Sequence, residues 1–534
     1  MVLVVNEAQS VFMDKIAILD HNGKPMMSDN AYRGARTGRE LGLWTPALRS
    51  ADADLLPDMK MLVSRANDLS RNYSLASGAI QIQLDNIIGS GLRLSAKPDY
   101  RLLGKDAEWA SEWSRDVESK FRNWADNPAC LVDASRRLTF GAMLGLAYRQ
   151  FLTSGEILAT AEWISKANSM FSTSLQMIDP SRLSNPNNLM DSNQLRAGVE
   201  MDRYGAPVAY QIRNAMESDF LYGADAYKWK RVKKETSWGR QQVIHIFEQE
   251  RAGQSRGKSG LATVLAKSKM LERFQDASLE SAIINSMYAA TIESDFNFSQ
   301  VAEALGSVDD AIAMSDKIMS EKAEFYDDKL SLEGGGRITH LLPSEQLKFT
   351  SAEHPGPNFA DFEKSTLRHL AAGLNVTYEQ LARDYTQTNY SGARAGLMES
   401  WKFFITKRHL IGGGFATQIY MLWLEEAISN GSVEHPAGEN IRHLGEEKSA
   451  LARCNWIGPG KGNIDPLKES KADELEMDMG TLTFEDACAQ RGKDWEENLE
   501  QIAREKERRK KLGLTRDDLR GYMASEPANE MNVN

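Results

Sequence analysis

LRHLAAGLNVTYEQLARDYTQTNYSGARA, residues 367–395, holds three helix boundaries in one short stretch, and its reading decides how the rest of the chain is parsed. Just upstream, Pro355, Gly356 and Pro357 break the chain and Asn358 stands where a cap belongs. Phe359, Phe362, Leu367, Leu370 and Leu374 then recur at helical spacing until Gly373 stops the helix. Thr377 with Gln380 three residues on spells a capping box for the next helix. That helix fails in the polar, Tyr-rich RDYTQTNYSG of 383–392, and another long helix starts near Ser391. The expected order is helix, short helix, polar gap, long helix.

Working back from there, residues 293–352 lose clean periodicity and include Gly334, Gly335 and Gly336, which suits a small separate α/β insert. Before it, Leu261, Val264, Leu265, Met270, Leu271 and Phe274 predict a long helix over 261–292. Residues 170–250 read as mostly β, with an Asn-rich turn at 185–188 and a hairpin turn at Tyr204-Gly205 between alternating stretches. Further back, 57–84 shows a helical period, and DNIIGSGLRLSAKP (85–98) predicts a Gly turn and a strand pair. Residues 106–126 and 134–154 predict amphipathic helices, the second ended by Gly155 before the strand-like EILATAEWI. Downstream, 440–520 is polar and helical, with a tail that reads as disordered. The fold class is α+β, mainly helical.

The 534 residues carry 64 Lys+Arg against 75 Asp+Glu, a formal charge of -11. A protein that coats DNA by counterion release needs a basic face, so any such face here must be local. Cys130, Cys454 and Cys488 include no CxxC pair, which predicts a reducing compartment and no disulfide framework. The uncharged run 409–424 is sixteen residues long. A bilayer span needs about 20, so no membrane segment is expected, and the N-terminus lacks the basic start of a secretory signal. The protein is expected to be soluble, and cytoplasmic or assembled there.

AGQSRGKS (252–259) fits a relaxed phosphate-loop pattern after a strand-like QVIHIF and before a helix. In a P-loop NTPase, Lys258 would reach the terminal phosphates and Ser259 would hold magnesium. A parallel nucleotide-binding sheet needs further strand-helix alternation, however, and the chain downstream of Ser259 is nearly all helix, so a structural turn is the favoured reading. Residues 222–240 carry six Lys/Arg against two acids, interleaved with Tyr227, Trp229 and Trp238. That pattern fits a single-strand grip, and fits better a Lys-protected edge strand. The eight dispersed histidines give no metal spacing, and no catalytic nucleophile presents itself. The run 504–511, six Lys/Arg and two Glu on a helix, reads as a solvated face or a contact with nucleic acid or a partner.

Several strings together resemble the lambda-like family of tailed-phage portal proteins. They are DPSRLSNPNN (179–188), RAGVEMDRYGAPVAYQI (196–212), GQSRGKSGL (253–261) followed by NSMYAATIES, the 367–395 stretch, and CNWIGPGKGNIDPLKE (454–469), in the same order over roughly 52–513. One departure is Lys258, which completes the phosphate-loop match here although the family pattern does not carry it.

The resemblance implies a phage portal fold of wing, stem, clip and crown, assembled as a ring of about twelve subunits. It implies a non-enzymatic channel for double-stranded DNA in packaging and ejection, without cofactors. The partners it implies are the terminase large subunit, head-completion and tail connector proteins, and capsid and scaffold proteins. The place is the portal vertex of a virion, with assembly in the host cytoplasm. On the same basis 1–44 would be an N-terminal arm, 45–257 the wing, 258–292 the first stem helix, 293–352 the clip and 353–381 the second stem helix with its turn. Residues 382–392 would be the tunnel loop, 393–439 a wing helix, 440–520 the crown and 521–534 a tail.

A conduit made of chains at -11 each should grip DNA weakly, because each strong phosphate contact is a barrier to the next step. The channel candidates in the stem are therefore the local cations Lys258, Lys267, Lys269, Lys364 and Arg368. In the tunnel loop they are Arg383 and the uncharged Thr386, Gln387, Thr388, Asn389 and Tyr390. The rival readings are a P-loop NTPase using Lys258 and a helical scaffold protein without a channel.

Overall fold

The structure, a computed structural model, describes residues 41, 43–165, 169–216, 218–287, 291–294, 312–314, 316–317, 320–321, 324, 345–348, 359–386, 388–438, 447–462 and 465–514. Most of the expected arm (1–44), most of the expected clip (293–352) and the expected tail (521–534) lie outside the described residues.

The helical period expected from 57 begins earlier and is divided. Ser50 accepts the Ala53 N–H at 3.2 Å and starts α1 (Ala51–Asn72), so that Pro57 lies inside the helix, and the extended, buried Tyr73 separates it from α2 (Ser74–Ile87). β1 (Arg93–Ala96) follows a glycine turn, and α3 (Ala107–Ala125) is capped by Asp106 and buries Trp113, Val117, Phe121 and Trp124 on one face. The next helix, expected from 134, is delayed. The Asp133 carboxylate accepts the N–H groups of Ser135, Arg137 and Leu138, holding them in a turn, and α4 (Phe140–Ser154) starts after it. Gly155, at φ 88°, ends α4.

The β region holds two sheets. β2 (Glu156–Trp163), β3 (Thr173–Ile178) and β8 (Val243–Phe247) form one, in the order β3-β2-β8 and antiparallel throughout. β4 (Leu195–Arg196), β5 (Val199–Met201), β6 (Pro207–Arg213) and β7 (Trp229–Lys233) form the other, an antiparallel sheet in sequence order. The expected hairpin turn at Tyr204-Gly205 joins β5 to β6, with Gly205 at φ 84°. Leu158, Ile178, Tyr210, Ile212 and Val243 pack a small core between the sheets.

The helix expected over 261–292 is α5 (Leu265–Met287). After it β9 (Thr291–Ser294) pairs with β10 (Glu345–Lys348). α6 (Phe359–Gly373) returns along α5, with Phe359 and Phe362 against Phe274 at ring distances of 5.2 and 5.1 Å. Then come α7 (Tyr378–Ala382), α8 (Tyr390–His409), a wide π-type turn over Leu410–Ala416 and α9 (Thr417–Ser429).

The uncharged run 409–424 is the centre of the main core. Ile411, Phe415, Ile419, Tyr420 and Trp423 are fully buried there. Phe121 sits edge-on to Phe140, Tyr420 and Trp423 at 5.4, 5.6 and 5.3 Å, so α3, α4 and α9 meet at one aromatic cluster. Gly412 of the π turn allows close approach, since a Cβ there would meet the Trp456 ring at 3.0 Å. Among the described residues no helix is long and apolar enough to cross a membrane.

The C-terminal region holds α10 (Lys448–Leu451), β11 (Cys454–Ile457), α11 (Pro466–Asp478), α12 (Phe484–Gln490) and α13 (Trp495–Lys511). Two expectations change here. The strand after DNIIGSG has no neighbouring partner: β1 pairs antiparallel with β11, Arg93 opposite Ile457 and Ala96 opposite Cys454. Consequently 440–520 is not wholly helical. Alternation marks a residue as strand and says nothing of which strand completes it. The last helix, α13, docks on β1 and α3 through charge: Glu497 reaches Arg93 and Arg122, each at 2.7 Å, and Glu496 reaches Arg115 at 2.9 Å.

Candidate functional site

The site is carried by the turn from α6 through α7 to α8, and buried polar contacts fix it to the core. Gln83 on α2 donates to the Leu374 carbonyl at 2.6 Å and accepts from the Tyr148 hydroxyl at 2.8 Å. Gly373 lets the end of α6 close on α5, where any Cβ would fall 2.5 Å from Val264 Cγ1. The capping box expected at Thr377 is complete: Thr377 Oγ1 accepts the Gln380 N–H at 3.1 Å and Gln380 Oε1 accepts the Thr377 N–H at 3.0 Å.

Arg383, left-handed at φ 53° and exposed, ends α7 and turns the chain into the polar gap. Asp384 Oδ1 accepts from the N–H and hydroxyl of Thr386 at 3.1 and 2.6 Å. Those bonds, with Lys364 and the Tyr378 hydroxyl nearby, hold the Asp384 carboxyl below its usual range. Thr388 donates its N–H to the Tyr385 carbonyl at 3.2 Å, and Asn389 Oδ1 accepts the Gly392 N–H at 2.7 Å as the cap of α8. The Thr386 hydroxyl is therefore taken by Asp384 and the Asn389 side chain by the cap of α8. Gln387 and the Tyr390 side chain lie outside the described residues.

Of the stem cations, two join this loop. Lys364 and Arg368, one turn apart on α6, lie over the Tyr378 ring at 5.7 and 5.6 Å. They make a positive fringe beside Asp384, Thr386 and Arg383. The other three stand elsewhere. Lys269 pairs with Glu272 at 2.7 Å on α5, and Lys267, exposed, is two residues away, on roughly the opposite side of the helix. Lys258 precedes α5 in the loop and pairs with Glu250 at 2.6 Å beside a cleft of about 230 Å³ that Lys407 and Asn375 also line.

The phosphate-loop reading fails on geometry. β8, which leads into 252–259, is antiparallel to β2, so no parallel sheet aims the loop at a helix N-terminus. Ser259 is buried and donates its hydroxyl to the Leu152 carbonyl at 3.1 Å, while Gly257 is pressed on Gly155. The basic stretch 222–240 has β7 at a sheet edge, with Arg231 held bidentate by Glu200 and Trp229 donating to Ser184 Oγ at 3.0 Å. Arg231 and Trp229 thus serve the sheet, whereas Lys230 and Lys233 are exposed on its edge strand. Among the described residues no group of three His, Cys, Asp or Glu could hold a metal.

Two acids, Glu156 buried and Glu118 half-buried, had escaped the sequence reading. Glu156, at the head of β2, accepts from Arg256, from His245 Nε2 at 2.9 Å and from the Gly257 N–H at 3.1 Å. Burial pushes its carboxyl up, but the Arg256 charge and the bonds from His245 and Arg256 outweigh that and bring it down to about 2. Glu118 on α3 accepts the Ala96 N–H at 2.7 Å, yet burial, with Asp494 and Glu496 nearby, pushes it up to about 7. An acid opening the otherwise apolar EILAT was the only local signal for the first.

The sequence matches the family model for phage portal protein, lambda family, over residues 37–408. It is 38% identical over 485 residues to the portal protein of Escherichia phage N15, covering 90% of each chain. It is 37% identical over 486 residues to portal protein B of Escherichia phage lambda, again covering 90% of each. In shape it is similar, at 13% identity and a TM-score of 0.44, to a chain from the neck of a native gene transfer agent particle with C12 symmetry, over 84% of this chain and 95% of that one.

Proposed function

Because this chain belongs to the lambda family of phage portal proteins, we propose that its copies close into a ring of about twelve around the channel by which double-stranded DNA enters and leaves a capsid. The observation that carries this reading is identity of 38% and 37% to two portal proteins over nine-tenths of each chain. The ring would sit at one vertex of the virion after assembly in the host cytoplasm, among capsid and scaffold proteins. It would dock the terminase large subunit during packaging and head-completion and tail connector proteins afterwards. Nucleotide hydrolysis falls to the terminase.

Two physical features support the ring. Leu279 and Ile283 on α5 are 63% and 50% exposed, and Leu397, Met398 and Ile405 on α8 are exposed as well, so two long helices carry apolar side chains that a neighbouring copy would cover. The charge of -11 per chain keeps the assembled wall repulsive to DNA, and weak contact suits a conduit. In this reading 382–392 is the tunnel loop, with Lys364, Arg368 and Arg383 as its cations and Thr386, Gln387, Thr388, Asn389 and Tyr390 as uncharged contacts. Lys258, Lys267 and Lys269 are the remaining channel candidates.

Mass photometry with negative-stain microscopy of the purified protein tests the ring. A particle near twelve subunits with a central hole is expected; a chain that stays monomeric under every packaging condition while DNA is still packaged sinks it. Tyr390→Ala is expected to lower packaging yield or packaged DNA length, and an unchanged yield and length removes the tunnel-loop assignment.

A further inference from the structure

The end of α13 is a strongly basic surface that the portal reading leaves without a task. The helix starts against the body of the protein: Asp494 caps it by accepting the N–H groups of Glu496 and Glu497, each at 3.0 Å, and both glutamates pair with arginines of β1 and α3. From Leu499 onward every residue to Leu514 is exposed. At 1.5 Å per residue, about 20 Å of helix therefore stands away from the body.

The exposed part reverses the charge of the chain. Residues 504–511 hold six cations and two carboxylates, a net of +4, in a protein at -11. Two cations are matched within the helix, Arg509 by Glu505 at 3.2 Å and Lys511 by Glu507 at 2.7 Å. Arg504, Lys506, Arg508 and Lys510 have no carboxylate within ion-pair distance among the described residues. The helix dipole accounts for cations in the last turn only, and Arg504 and Lys506 lie before it. Arg504 and Arg508 share one side, and Lys506 and Lys510 share roughly the opposite one.

Resting on the portal reading, we infer that this projecting end of α13 binds the phosphate backbone of duplex DNA, without regard to sequence. No side chain from 504 to 511 is apolar; the exposed Leu499, Ile502, Leu512 and Leu514 lie at the two ends of that run, outside it. A protein partner would need a desolvated apolar or aromatic centre and would select against lysine. A phosphate backbone asks only for mobile positive charge. Four unmatched cations per copy give a weak, salt-sensitive contact, compatible with DNA that must still move.

The test uses the full-length assembled protein and a fluorescent duplex of mixed sequence, with anisotropy read from about 50 to about 200 mM salt. The variant Arg504→Gln/Lys506→Gln/Arg508→Gln/Lys510→Gln keeps good helix formers at exposed positions, and circular dichroism and particle mass check that it folds and assembles. Affinity at low salt is expected to fall about tenfold or more, and the slope of log K against log salt to flatten by about 0.9 for each phosphate no longer neutralised. Arg504→Lys/Arg508→Lys should bind as the parent does. An unchanged affinity and slope in the glutamine variant overturns the inference. So does unchanged DNA binding with impaired virion assembly, which would mark an acidic protein contact instead. Ring formation by the parent is scored separately: rings with no change in the variant cost only this inference, and absence of rings costs the portal reading.

Discussion

Arg256 Nε stands 3.0 Å from both carboxylate oxygens of Glu156, and each side chain is 1% exposed. The same guanidinium donates to the carbonyls of Leu183 and Pro180 at 2.9 and 3.0 Å. One buried cation thus ties the head of β2, the loop after β8 and the turns between the two sheets. This is the physical work of the GQSRGKSGL string, and it is structural.

Arg256→Ala leaves a buried carboxylate without its partner and is expected to lower stability by about 3–5 kcal/mol. Glu156→Gln should cost a similar amount, since one carboxylate oxygen becomes an NH2 facing donors and the buried guanidinium loses its counter-charge. Chemical denaturation of the two variants beside the parent decides it, and a cost under about 1 kcal/mol for Arg256→Ala would show the pair to be dispensable.

Gly257→Ala puts a Cβ 2.1 Å from the Gly155 carbonyl oxygen, a backbone atom that cannot step aside. A loss of about 3 kcal/mol or more and poor soluble yield are expected. Gly260→Ala meets only Leu152, its Cδ2 the nearest atom at 3.4 Å, and should stay within about 1 kcal/mol of the parent. Equal thermal unfolding of the two variants would contradict the close packing of these loops.

Glu118 predicts a pH dependence. Its carboxyl ionises at about 7 when folded against 4.5 as an ordinary glutamate. The folded state holds the proton more tightly, so the stability it contributes is full below 4.5 and is lost as pH rises through 7. Glu118→Gln keeps an acceptor for the Ala96 N–H and removes the titration. Its melting temperature should exceed the parent's at about pH 8 and converge with it at about pH 4. At about 1 °C per kcal/mol for a chain of this length the gap is small but readable by calorimetry, and parallel curves would refute the assignment.

Asn389 separates capping from channel duty. Asn389→Ala removes the side-chain acceptor at the head of α8, a cost of about 1 kcal/mol. Asn389→Asp keeps the cap but adds a charge to the loop. If the loop faces DNA, Asn389→Asp lowers packaging yield while leaving thermal stability intact. If both variants lose stability and neither touches packaging, Asn389 is a cap alone.

The helix boundaries of 367–395 were legible because they are local. A capping box, a glycine stop and an i, i+4 apolar face are each completed by residues within a turn or two, and Thr377 and Gln380 do what their spacing announced. The β1–β11 pair, the late start of α4 and the two acids were not legible. Each depends on a partner far along the chain or on a side chain that captures backbone groups. A buried glutamate looks like a surface one until Arg256, a hundred residues on, is placed beside it.

The sequence by itself determined the element types of the helical half, the family through long ordered strings, and a charge too negative for a DNA coat. Only the tertiary structure decided which cations stand together. Lys364 and Arg368 meet the 383–386 loop because Tyr378, fixed by the capping box, lies under both, whereas Lys258 is drawn off by Glu250 and Lys267 and Lys269 point apart around one helix. Spacing along a chain states which residues share a turn. Which turns share a surface is set by burial of Phe121, Tyr420 and Trp423 in one core, and that is a property of the packed whole.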